Sequence, residues 1–163
     1  MTKKFKPSHP DYFDLIVDIN WSSPTPYDEL AGHADDDSAY FYAVVAHENE
    51  QWTPYYIGLV WSQTASVRHK NSDHKSRRER LKKLYPDLEF KVALGVPDLD
   101  VKDIKKGVIE KLEGLLIYSQ WNPRLDNTLK IERFYSDKHI LIRNTGFNAP
   151  FDTEIGFGVF GKK

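Results

Sequence analysis

The sequence predicts an α+β fold: a small central antiparallel β-sheet of three strands flanked by helices, with an extra C-terminal β-hairpin. Three observations carry this. Two β-rich runs, "AYFYAVVA" (39–46) and "TPYYIGLVW" (53–61), are joined by polar "HENEQW", the pattern of an antiparallel hairpin. "LEFKVALG" (88–95) reads as a third strand. Between and after these lie helical patterns, the clearest being Val101, Ile104, Val108, Leu112, Leu115 and Leu116, apolar at spacings of three and four.

Taken in order, residues 1–38 hold one apolar patch, "YFDLIVDINW", followed by "SSPTPYDELAGHADDDS", whose Pro, Ser and Asp content reads as loop. This is the expected N-terminal arm. Within the second strand Gly58 marks a bulge or a close approach of another group, and strict alternation sends Tyr55 and Tyr56 to opposite faces. Helical pattern starts at Thr64, with Thr64 or Ser62 as N-cap, and "NSD" (71–73) offers a fresh cap, so two short helices are expected. The second stops before Pro86, because proline disfavours helical conformation in the residue before it. The apolar-striped helix is capped by Asp98 or Asp100 and ends near Trp121. "LKIERFY" and "KHILIRN", around Ser136-Asp137, form the expected C-terminal hairpin, and the Gly- and Phe-rich tail shows no clear period. The division is therefore an arm (1–38), a central domain (39–128) and a C-terminal β extension packed on it (129–163).

The chain has 163 residues, 40% hydrophobic and 29% charged, enough to bury a core in one domain. It lacks cysteine, which excludes thiol catalysis and thiolate metal sites and fits a reducing, cytoplasmic setting. No run reaches the length of a membrane span, so no membrane partner is expected. The formal net charge of −1 conceals a sharp asymmetry. Ser62–Lys83 carries eight basic against two acidic residues, a balance of +6, while residues 1–37 balance at −5.

Glu113 is the residue most out of place. Ile109 and Ile117 lie four residues either side of it and Leu112 and Leu116 flank it, so its carboxylate sits at the edge of the apolar stripe. An ionised carboxylate there needs an arginine, backbone donors or a cation, and a boundary glutamate paired with a surface lysine meets the same need. Gly114 weakens the helix beside it, which implies that something approaches closely. His47, His69 and His74 form no HExxH or comparable ligand spacing, and no GxSxG elbow is present. Tyrosine is by itself a strand former, and Arg68 by itself a surface residue.

Taken together, hairpin, basic helices, strand and glutamate-bearing helix resemble the GIY-YIG nuclease family. "YFY" at Tyr40–Tyr42 stands where the family has GIY, "YIG" at Tyr56–Gly58 matches as written, and Arg68 lies in the following helix, where the family has its arginine. "LEGLLIYSQWNPRLDN" is similar to the family's segment of a metal-binding glutamate, an apolar pair, a proline and an asparagine, which points to Glu113 and Asn127. The resemblance spans Ala39–Thr128. It departs at Tyr40, in place of glycine, at Arg68, which sits about two residues later than the family's arginine, and at Ser72, where the family often has His or Tyr; Lys70 and His74 are an alternative pair one turn apart.

What the resemblance implies is a metal-dependent endonuclease hydrolysing DNA phosphodiester bonds. Glu113 would hold Mg2+ (or Mn2+), Tyr42 would act as general base for water, and Tyr56 would orient water or phosphate. Arg68 would grip the scissile phosphate through its fork of donors, and Asn127 would brace the site. Lys70, His74, Arg77, Arg78, Arg80, Lys82 and Lys83 would follow the DNA backbone. This requires Tyr42, Tyr56, Arg68 and Glu113 to converge on one surface. A homodimer is compatible with it, contacts being encoded in the arm or the last hairpin. The alternatives are a catalytically degenerate module of the same kind that binds nucleic acid or protein, and an unrelated α+β interaction domain.

Overall fold

The structure, a computed structural model, describes residues 12–26, 29–30, 36–70 and 72–158. Its strands are β1 (Leu15–Trp21), β2 (Thr25–Pro26), β3 (Phe41–Glu48), β4 (Gln51–Leu59), β5 (Lys91–Asp98), β6 (Ile140–Gly146) and β7 (Glu154–Phe157). Its helices are α1 (Ala65–His69), α2 (Ser72–Leu84) and α3 (Lys106–Ser119). The strands join in one mixed sheet ordered β4-β3-β5-β1-β6-β7, with β2 also paired to β5, and the sheet curls as a half-barrel. Among the described residues no helix is long and apolar enough to cross a membrane.

The expected three-stranded sheet is therefore corrected. Its strands exist as β4, β3 and β5, but they are one half of a larger sheet, because the patch read as part of an arm supplies β1. β1 pairs antiparallel with β5 and parallel with β6, and Val17, Ile19 and Trp21 alternate into the core. Trp21 is tied in twice, by its indole N–H donating to Asn144 Oδ1 at 2.9 Å and by stacking on Phe151 at 4.3 Å between centroids.

The C-terminal hairpin also differs in membership. "LKIERFY" forms no strand; β6 pairs instead with β7, from the tail in which no period was read. The 129–135 stretch lies over α3, with the Phe134 ring 3.3 Å from where a Cβ on Gly114 would stand. That close approach explains the glycine. The long apolar-striped helix is likewise split: Val101–Asp103 is a single 3-10 turn, Val101 is 87% exposed, and α3 starts only at Lys106. Ile104, with ψ of 83°, breaks the run.

The two short basic helices form as expected. Thr64 caps α1, its side chain accepting from the Val67 N–H at 3.3 Å. The cap expected at Asn71 lies outside the described residues.

The faces of the sheet sort the helices. Phe41, Ala43, Val45, Ile57 and Ala93 pack with Ile109, Leu112 and Leu116 of α3. On the other face Tyr42 packs with Ala65 of α1, and Val44 and Tyr55 with Leu81 of α2. A register shift at Val44/Val45 adds one residue to β4, so Tyr55 and Tyr56 both pack on the α2 side and not on opposite faces. Gly58 answers to a close approach, not to this bulge: a Cβ there would stand 2.5 Å from Tyr42 Cζ and Oη. Gly58→Ala should therefore destabilise the fold by about 1–3 kcal/mol through overpacking, read as a lower urea midpoint at unchanged m-value.

Candidate active site

β4 is the edge strand of the sheet, and its outer row of peptide groups needs partners. The segment after α3 supplies them. Asn122 Nδ2 donates to Pro54 O at 3.1 Å, and the Asp126 N–H donates to Tyr55 O at 2.6 Å. Asn127 then closes a two-way pair with Ile57: its Oδ1 accepts the Ile57 N–H at 2.9 Å and its Nδ2 donates to the Ile57 carbonyl at 2.8 Å. Asn127 thereby imitates a neighbouring strand and pins its loop.

Beside this pinned edge lies a cleft of about 240 Å³, lined by Tyr56, Arg77, Arg80, Glu113, Asp126, Asn127 and Lys130, among others. It forms where α2 from one face of the sheet and α3 from the other meet around β4. Glu113 is 9% exposed, and its carboxylate pairs with Lys130, so the partner its position demands is a lysine from the covering loop. Arg77 lays its guanidinium over the Tyr56 ring, 3.4 Å from the centroid, and its Nε lies 3.5 Å from Asp126 Oδ2. Arg80 pairs with the same carboxylate.

Behind Tyr56 is a buried polar cluster. Tyr42, 1% exposed, has its hydroxyl 3.2 Å from His74 Nδ1 and 3.4 Å from Nε2, and its ring meets Tyr56, His69 and His74. Arg77 Nη1 is 3.2 Å from His74 Nδ1, and a guanidinium can only donate, so that nitrogen carries the lone pair and the ring proton is on Nε2. Burial, then the neighbouring Tyr56, holds the Tyr42 phenol well above its usual range, against the opposing pull of Arg77 and Arg68. Tyr42 is thus a protonated phenol set between His74 and the Tyr56 ring.

The expected site residues divide accordingly. Tyr56, Glu113 and Asn127 share the cleft, while Tyr42 stands behind it. Arg68, on α1, is half-buried, is felt by Tyr42 and His74, and has a buried Nε without a hydrogen-bond partner among the described residues. It does not line the cleft, so the expected convergence of Tyr42, Tyr56, Arg68 and Glu113 on one surface is not met: Tyr56 and Glu113 line the cleft, and Tyr42 and Arg68 do not. Of the residues read as DNA contacts, Arg77 and Arg80 line it, Arg78 is half-buried, and Lys70, Lys82 and Lys83 are exposed. His74 is 5% exposed and belongs to the buried cluster, since it faces Tyr42. Tyr55 is core, packed with Tyr85 and Phe90.

Sequence reasoning missed Asp126, Lys130 and the burial of His69. Asp126 had one visible signal, an acid directly beside Asn127 and downstream of the arginine-rich helix. Lys130 had none, because its φ of +66° and its reach to Glu113 arise from the irregular loop. Among the described residues no three His, Asp or Glu side chains gather as a metal cluster. The donors present are nonetheless hard oxygens, from Glu113, Asp126 and Tyr56, in an open cleft, which suits Mg2+ or Mn2+ with waters retained.

No family model, curated protein or solved structure matches this chain. The geometry of the cleft has to carry the functional reading by itself.

Burial, aided by Arg78 and Arg77 and opposed by the Ala65 backbone bond, lowers His69 to about 4. Burial, with His69, Arg77 and Arg68, lowers His74 to about 3. From pH 6.5 down to these values the unfolded chain binds more protons than the fold, so stability falls as pH drops through that window. Urea unfolding should show a loss of about 2 kcal/mol or more between roughly pH 7 and 4.5, and His69→Gln or His74→Gln should flatten that slope.

Proposed function

We propose that the protein is a metal-dependent endonuclease whose active site is the cleft at the β4 edge. The observation that supports this most is the meeting, in one cleft, of a carboxylate (Glu113), a tyrosine (Tyr56) and a stacked arginine (Arg77) contributed by three separate elements. Hydrolysis of a phosphodiester needs exactly these types: a proton acceptor for water, donors for the developing phosphoryl charge, and an anchor for a hard cation.

Glu113 would hold Mg2+ or Mn2+, with phosphate oxygens and water completing its shell; such an ion, when bound, offsets phosphoryl charge and acidifies water. Arg77, not Arg68, is the guanidinium within reach of a phosphate in the cleft, its plane already fixed by Tyr56 and His74. Arg68 adds positive field from behind, beside Tyr42. Tyr56, which lines the cleft beside the Arg77 guanidinium, would orient the attacking water or the phosphate, and Tyr42 keeps its own proton behind it. Asn127 is a positioning residue, acting through the backbone of Ile57. The exposed Lys82 and Lys83 contact phosphates along the duplex.

The second reading, a binding module without turnover, draws on one observation: Lys130 already neutralises Glu113, and Tyr42 is held as a phenol. Nicking of supercoiled plasmid with Mg2+ separates the two. Glu113→Gln should lower the rate by roughly two or more orders of magnitude with DNA affinity kept, and Arg77→Ala should do the same at saturating DNA. Lys82→Ala should lower affinity and salt dependence only. Nicking retained by Glu113→Gln refutes the assignment.

Because the Lys130 ammonium and a cation compete for one carboxylate, Lys130→Met should tighten Mn2+ binding by roughly threefold or more, read by electron paramagnetic resonance of free Mn2+ without any DNA. Unchanged or weaker binding removes Glu113 as the metal ligand.

A further inference from the structure

A second groove, of about 490 Å³, runs along the outer face of α3 under the loop that carries Lys130. That volume is in the range of small-molecule sites. Its floor is smooth because Gly107 and Gly114, two helical turns apart, fall on one face, and a Cβ on Gly107 would meet nothing within 4 Å. Its walls are of two kinds. Lys111 and Arg133 are cations set against the acid Glu110, Lys130 has its ammonium on Glu113, and Phe134 and Tyr135 are aromatic.

The aromatic pair is arranged as a shelf. Phe134 is fixed from beneath by Gly114 and from the side by Phe157, whose ring stands edge-on at 4.8 Å. Lys111 Nζ donates to the Tyr135 carbonyl at 2.7 Å and lies 5.9 Å from both ring centroids, at the edge of the cation–π range. The Tyr135 ring is left 74% exposed. An exposed tyrosine in a groove that also holds cations has the components of a platform for a nucleobase and its phosphate. Lys130 lines both this groove and the cleft of Tyr56 and Glu113. The two are adjoining compartments of one surface.

We propose that this groove seats an unpaired nucleotide of a single-stranded nucleic acid, its base on Tyr135 and its phosphate on the cations Lys111 and Arg133. A continuous duplex does not present an unstacked base to such a shelf, so the preferred substrate carries an unpaired stretch beside the scissile bond. That last step rests on the nuclease reading; the binding site does not.

The test is fluorescence anisotropy of fluorescein-labelled dT12 in EDTA, where nothing is cleaved, with circular dichroism to confirm folding. Tyr135→Ala and Gly107→Leu, the latter filling the groove floor on a helix that tolerates leucine, should each weaken dT12 binding about tenfold. Irradiated 5-iodouracil oligonucleotide should cross-link at Tyr135. Wild-type affinity for dT12 in both variants overturns the proposal, as does displacement of dT12 by polyglutamate as effective as by unlabelled dT12, which leaves charge alone in control. The two readings fail separately: loss of dT12 binding in these variants without plasmid nicking by the wild type keeps the groove and removes the nuclease, whereas Glu113-dependent nicking with dT12 binding indifferent to Tyr135 and Gly107 does the reverse.

Discussion

The pairing of Asn127 with both peptide groups of Ile57 is the contact on which the candidate site depends. An edge strand exposes alternate N–H and C=O groups, and an asparagine side chain carries one acceptor and one donor at nearly peptide spacing. By occupying that row, the loop after α3 is held against β4 and Asp126 is turned towards Arg77 and Arg80. The same course carries Lys130 onto Glu113. α2 and α3 pack on opposite faces of the sheet, and around this edge their side chains share one cleft.

Electrostatics within that space is arranged in two layers. At the open layer every ionised group has an opposite partner: Glu113 with Lys130, Asp126 with Arg77 and Arg80. Behind it, beside the Arg68 guanidinium, the histidines and the phenol stay uncharged. His69 and His74 are neutral because burial opposes their protonation, and Tyr42 remains a phenol for the same reason. Arg77 joins the layers, touching Tyr56, His74 and Asp126 from one guanidinium. A phosphate entering the cleft would compete with Asp126 for a cation whose plane is already set.

The basic run of the sequence is consequently not one face. Helical geometry divides it, so that Arg77 and Arg80, three residues apart, turn into the cleft while Lys82 and Lys83 stay in water at the last turn of α2. The aromatic and basic residues on the far side of Lys130 add a second surface that carries none of this helical signal, since Arg133, Phe134 and Tyr135 lie in irregular backbone.

Local chemistry made much of this legible in the sequence alone. β-branched and aromatic runs marked β3, β4 and β5, capping and proline rules marked α1 and α2, and the mismatch of Glu113 with its apolar neighbours marked a carboxylate in need of a partner. Gly58 announced a bulge or a close approach, and Gly114 a close approach. What could not be read depends on contacts between distant segments. Nothing near Leu15–Trp21 says that it will lie between β5 and β6, because strand partners are chosen by burial across the whole sheet. The extra residue in β4 re-aims Tyr55, overriding an alternation that is strict only without a bulge. The role of Tyr42 was decided by depth: the same phenol is a candidate base at a surface and a fixed donor when buried, and depth is a property of the packed molecule, not of its order of residues.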